Sequence, residues 1–139
     1  MYDEALRRLP ARRYPEDALQ KSIVQYLDWA LPPDAVVFAV PNGGKRHARE
    51  AARLRGVGVK AGVPDLCLVW RGRALFLEVK AIRGVLAHEQ RAMIHKLEYC
   101  GALVWVVRSV EQVELVLRDA GVLLRGSVND NQRQAAAVA

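Results

Sequence analysis

The sequence predicts an α/β protein, a mixed β-sheet flanked by helices, and three observations predict it. Short apolar runs such as "AVVFAV", "LCLVW" and "ALVWVV" have strand length and are rich in β-branched residues. Between them lie stretches with apolar residues at helical spacing, closed by proline or glycine. Two of the apolar runs stand only two residues apart, around Arg71-Gly72, which is the spacing of a tight hairpin.

The elements follow in order. Residues 15–31 read as an amphipathic helix: Pro15 suits a first helical position, and Ala18, Leu19, Ser22, Ile23, Tyr26, Leu27 and Ala30 recur on one face. Pro32-Pro33 stops it. A strand at 35–40 ends at the turn signal "PNGG". A basic helix over roughly 45–55 runs into the loop "GVGVKAG", and the hairpin follows. Ala87 to Cys100 reads as a helix with Met93, Ile94 and Leu97 inward and Gly101 at its C′ position. A strand at 102–107 precedes a helix that Ser109 caps, with Gln112 at capping-box spacing and Val113, Val116 and Leu117 on one face. The order α-β-α-β-β-α-β-α divides the chain into a basic N-terminal arm (1–14), a folded domain (15–125) and a C-terminal tail (126–139). The tail has little to bury and reads as mobile unless a partner chain captures it.

With 139 residues, 52% of them hydrophobic, the chain reads as one globular domain. No apolar run approaches the roughly 18 residues of a membrane span, and the first ten residues lack the apolar stretch of a secretion signal, so a cytoplasmic protein is expected. Cys67 and Cys100 read as reduced packing residues. The 21 Lys+Arg against 15 Asp+Glu leave a net charge of +6. Its distribution is uneven: from Asn42 to Lys60 stand Lys45, Arg46, Arg49, Arg53, Arg55 and Lys60 against the single acid Glu50. Such a run is either a solvated helix face or a track for phosphates. His88 and His95 are seven apart, which is not the spacing of a zinc helix. "GVGVKAG" is neither a P-loop nor a dinucleotide loop, so no nucleotide cofactor is expected.

The hairpin carries charges that a core strand normally avoids. With a two-residue turn at Arg71-Gly72, Trp70 faces Arg73, and counting outward sets Asp65 opposite Glu78. Opposed residues share a face with Cβ atoms about 4.5–5.5 Å apart, and Lys80, two residues beyond Glu78, shares it too. A loop one residue longer would shift that pairing. Two carboxylates so close require protonation of one of them or a cation between them. Lys80 could be that cation; a hard divalent ion with oxygen ligands is the other answer. An ion of that kind beside a lysine is equipped for phosphodiester hydrolysis. A structural ion pair at a strand edge is the plainer alternative.

Pro64-Asp65 followed by Glu78-Val79-Lys80 resembles the PD-(D/E)XK nuclease signature. The surroundings, "NGGKR…AARLRGVGVKAGVPDL", "LFLEVKA", Gln90 and "GALVWVVRSVEQV", resemble the VRR-Nuc family of virus-type replication-repair nucleases over roughly residues 15 to 120. The resemblance implies a restriction-endonuclease-like core. It implies Asp65, Glu78 and the Val79 carbonyl as ligands of Mg²⁺ or Mn²⁺, Lys80 as the catalytic lysine, and Gln90 near bound water or phosphate. A family acid on the first helix, four positions before a glutamine, is matched by Glu16 and Gln20 in "PEDALQ", one helical turn apart. Where the family often has a small hydroxyl residue ahead of Gln90, this chain has Ala87 and His88, so the cap must come from elsewhere.

Beside such a site, Gln20, Asn42, Lys45, Arg46, Arg49, Arg53, Arg55 and Lys60 become candidates for contact with nucleic acid. The expected function is a metal-dependent, structure-selective DNA endonuclease. The resemblance extends to phage and bacterial proteins similar to Holliday junction resolvases, which act in DNA repair. Symmetric cutting of a junction needs two sites, hence a homodimer. The rival readings are a non-catalytic assembly factor that binds branched DNA and a nuclease acting on flaps or RNA.

Overall fold

The computed structural model describes residues 15–41 and 47–138. Helix α1 (Pro15–Ala30) opens with Glu16 and Asp17, acids that the positive end of the helix dipole favours, and stops ahead of the two prolines. Its buried residues are Ile23, Tyr26, Leu27 and Ala30. Ala18 and Ser22, on the expected stripe, are exposed, so only the C-terminal half of the helix is embedded.

Strand β1 (Ala35–Ala39) pairs antiparallel with β2 (Leu66–Trp70), from Ala35↔Trp70 to Ala39↔Leu66. β2 pairs antiparallel with β3 (Arg73–Val79), from Trp70↔Arg73 to Leu66↔Leu77. The turn between them has two residues, as expected. Arg71 (φ 49°) and Gly72 (φ 75°) both take the left-handed conformation of a type I′ turn. β4 (Leu103–Val107) completes a mixed sheet in the order β1-β2-β3-β4. Helix α2 (Ala48–Gly56) lies between β1 and β2 in sequence, α3 (His88–Tyr99) between β3 and β4, and α4 (Val110–Asp119) and α5 (Val128–Val138) follow. The α/β class expected from the sequence is the one observed.

The chain divides into two compact units. One holds Asp34–Glu78 and Val85–Val106, and so most of the sheet, α2 and α3. Its core is Leu66, Cys67, Leu68, Trp70, Leu75 and Leu77. Met93, Ile94 and Leu97 of α3 are half-buried, and Cys100 is exposed rather than packed.

The other unit holds α1, Val79–Gly84 and the chain from Val107 onward. The α1 residues bury with Val79, Val107, Val113, Leu117, Val122 and Val128. Ser109 caps α4 as expected, its Oγ accepting from the Gln112 N–H at 3.1 Å, while Gln112 Oε1 reaches back to the Arg108 N–H at 2.7 Å. The expected mobile tail is instead helix α5. Ser127 and Asp130 form a reciprocal cap: Asp130 N–H donates to Ser127 Oγ at 3.1 Å and Ser127 N–H to Asp130 Oδ2 at 3.3 Å. Val128 is buried, its N–H donates to Glu114 Oε1 at 2.6 Å, and Tyr26 Oη donates to the Gly126 carbonyl at 2.9 Å. One apolar anchor, a cap and two polar ties to α4 and α1 outweighed a polar composition. Among the described residues, no helix is long and apolar enough to cross a membrane.

Candidate functional site

In the sheet unit, the β2–β3 register ends at Leu66↔Leu77, with Asp65 in the bend immediately before Leu66 and Glu78 immediately after Leu77. The Asp65 carbonyl accepts from the Val40 N–H at 2.8 Å, which extends the β1 ladder and holds the position from the other side. Glu78 is only 2% exposed, and Asp65 is half-buried. Gln90, in the first turn of α3, donates from Nε2 to Glu78 Oε1 at 2.9 Å. Its Oε1 accepts from the Ala87 N–H at 2.8 Å. Alanine offers no side-chain acceptor, so this is half a capping box, and it is the missing cap that the Ala87-His88 departure required. With the amide oxygen committed to a backbone donor, the nitrogen must face the carboxylate.

Gly62 lets that first turn come close. Its φ is 82°, and a Cβ there would lie 2.2 Å from the Glu89 carbonyl oxygen and 2.9 Å from the Gln90 nitrogen. Any side chain would push away the turn that carries Gln90.

In the other unit, Val79 is fully buried and Lys80 is 8% exposed. The Lys80 N–H donates to the Val107 carbonyl at 3.0 Å, which fixes the lysine's backbone where β3 ends. The next residue, Ala81, donates its N–H to Glu16 Oε1 at 3.3 Å. Glu16 and Gln20 are both half-buried on α1, as one turn of separation allows. Arg108 donates from Nη1 to the carbonyls of Ala81, Ile82 and Gly84.

Among the described residues, no three His, Cys, Asp or Glu side chains gather into a metal-binding cluster. In the sheet unit, Asp65 and Glu78 are oxygen donors of the kind a hard divalent ion takes. Mg²⁺ keeps several waters and takes one or two carboxylates, so such a set suits its chemistry. A carboxylate as buried as Glu78 is also a group whose desolvation a cation would offset.

Arg49, Arg53 and Arg55 are exposed on α2, which buries none of its residues. Lys60 is exposed and, with Val40, Pro41, Gly58, Val59 and Val63, lines a cavity of about 260 Å³. Asn42, Lys45 and Arg46 lie outside the described residues.

The model of the VRR-NUC domain matches residues 3–111. The chain belongs to the VRR-NUC domain family. This is a nuclease-type family. A solved structure of a VRR-NUC domain protein superposes with a TM-score of 0.56 at 22% identity, covering 74% of this chain and 84% of the other. A second, a VRR-NUC domain, gives 0.51 at 23% identity and covers 74% and 94%. At these identities the likeness speaks for a shared fold, in keeping with a restriction-endonuclease-like core. None of the curated proteins compared matches this chain.

Two residues of this VRR-NUC chain that touch the site region were not singled out from sequence. Gly62 stood within a glycine-rich loop, where its requirement for contact with a helix 27 positions later (62 to 89) leaves no local mark. Arg108 stood beside the Ser109 cap, and a basic residue at a strand end is too common to point anywhere.

Proposed function

We propose that this VRR-NUC protein is a metal-dependent DNA endonuclease that prefers branched substrates. The observation that supports the reading is the hairpin register, whose last pair, Leu66↔Leu77, leaves Asp65 and the buried Glu78 at the same end, two residues ahead of a buried lysine. Asp65, Glu78 and the Val79 carbonyl would hold Mg²⁺ or Mn²⁺, and Glu16 would add a further carboxylate. When bound, the ion lowers the pKa of water and polarises a phosphoryl oxygen. Lys80 Nζ neutralises charge that develops on the phosphate and orients the attacking water. Gln90 Nε2 holds one Glu78 oxygen, leaving the carboxylate a defined orientation. The exposed arginines of α2, with Lys60, Asn42, Lys45 and Arg46, bind phosphates, and Gln20 contacts the backbone of the nucleic acid. Paired cuts across a junction require two copies of the site, so the active form is a homodimer.

Labelled four-way junction, flap, fork, duplex and single-stranded DNA, with Mg²⁺, Mn²⁺ or EDTA, test the reading, alongside Lys80→Ala. Cutting that needs metal and is lost in the variant supports it. Binding of branched DNA without cutting in either metal would move the protein to the assembly-factor reading. Arg49→Ala/Arg53→Ala should weaken binding to all of these DNAs alike and reduce its salt dependence by about two phosphate contacts.

A further inference from the structure

The segment that follows Lys80 has almost nothing apolar to hold it. Ile82 is 83% exposed, Arg83 is exposed, and Ala81 and Gly84 are only half-buried. A turn closes on itself through the Gly84 N–H donating to the Ala81 carbonyl at 2.9 Å, but a single bond of this kind, in reach of water, is worth too little to hold one conformation. What restrains the segment is Arg108. Its Nη1 has two hydrogens, and the two shorter contacts, to the carbonyls of Ala81 and of Gly84 (2.8 Å), take them; the Ile82 carbonyl at 3.3 Å is a weaker third.

Arg108 is itself anchored. Its N–H donates to Gln112 Oε1 at 2.7 Å, and the preceding residue, Val107, accepts from the Lys80 N–H. The same two residues of chain, Val107-Arg108, therefore fix Lys80 from its amide side and the turn after it from its carbonyl side. Glu16 meets the peptide between them at the Ala81 N–H.

We infer that Arg108 is a positioning residue for the proposed nuclease site: its guanidinium locks residues 81–84 and so sets the backbone from which Lys80 and the Glu16 contact take their geometry. The inference rests on the nuclease reading for its effect on rate, and on the hydrogen bonds alone for its effect on the turn. A planar guanidinium can serve spread carbonyls at once, whereas an ammonium is a point donor on a flexible stem.

The test uses the full chain with Arg108→Lys, Arg108→Met and Arg108→Ala. Each is measured for DNA cleavage, for DNA binding and for amide exchange at residues 81–84. The expected result is unchanged binding with kcat lower by about 10²-fold, as a misplacement near one ångström produces. The amides of Ala81 and Gly84 should exchange faster in all three variants. Added guanidinium ion should restore part of kcat to Arg108→Ala, while the same concentration of sodium chloride should not. Full kcat in a folded Arg108→Met, or full kcat with unchanged exchange in Arg108→Lys, overturns the inference. If the wild-type protein cuts no DNA, the nuclease reading fails by itself, and amide exchange still decides whether Arg108 locks the turn. Should Arg108→Met and Arg108→Ala fail to fold, Arg108→Lys carries both measurements.

Discussion

Gly62→Ala is the perturbation whose cost the structure sets most directly. Two penalties add. At φ 82° a non-glycine residue pays about 1–2 kcal/mol for the left-handed backbone. The new Cβ would meet the Glu89 carbonyl oxygen at 2.2 Å and its carbon at 2.5 Å, both backbone atoms that no rotamer change can move. Relief requires the loop and the first turn of α3 to separate by roughly an ångström, and overpacking of this kind costs about 1–3 kcal/mol. The sum is about 2–5 kcal/mol, a loss of roughly 5–20 °C in Tm for a chain of this size. The same displacement moves Gln90 away from Glu78, where the bond is 2.9 Å. Thermal and urea unfolding measure the first effect. A double-mutant cycle with Gln90→Ala measures the second, because the two changes should lose less together than separately. A Gly62→Ala protein that melts within about 1 °C of wild type would refute both the close approach and the route from Gly62 to Gln90.

Tyr26 supplies a test in alkali. Its pKa is pushed from 10.0 up to about 12, first by burial and then by the Glu114 charge. A phenol that stays protonated more strongly when folded stabilises the fold below pH 10, and that contribution is lost as the pH climbs from 10 towards 12. Urea midpoints across this window should therefore fall more steeply for wild type than for Tyr26→Phe; parallel curves would count against the burial of that hydroxyl. The cysteines should separate by reactivity, because burial raises the Cys67 thiol whereas Cys100 is exposed. A thiol reagent should titrate one equivalent at once and the second only on unfolding, and two fast equivalents would show that β2 is accessible.

What the sequence determined by itself was whatever neighbouring residues decide among themselves. Arg71-Gly72 suits a two-residue turn. Once that turn forms, the register from Trp70↔Arg73 to Leu66↔Leu77 follows, and it brings Asp65 and Glu78 to the same end of the hairpin. Ser109 with Gln112, and Pro32-Pro33 after α1, likewise act over a few residues and were legible as a cap and a stop. Tertiary structure decided the contacts between distant residues. Gln90 could have been a rim residue, and only the approach of α3 to Gly62 brings its amide to Glu78. Arg108 reaches carbonyls 24 to 27 residues back, and Tyr26 ties Gly126 across 100 residues. Residues 126–139 looked unable to order themselves because their own composition has little to bury. Their helix depends on a carboxylate, a hydroxyl and an indole supplied by α1 and α4. Local propensity is a sum over near neighbours, whereas these bonds exist only once the chain has already closed on itself.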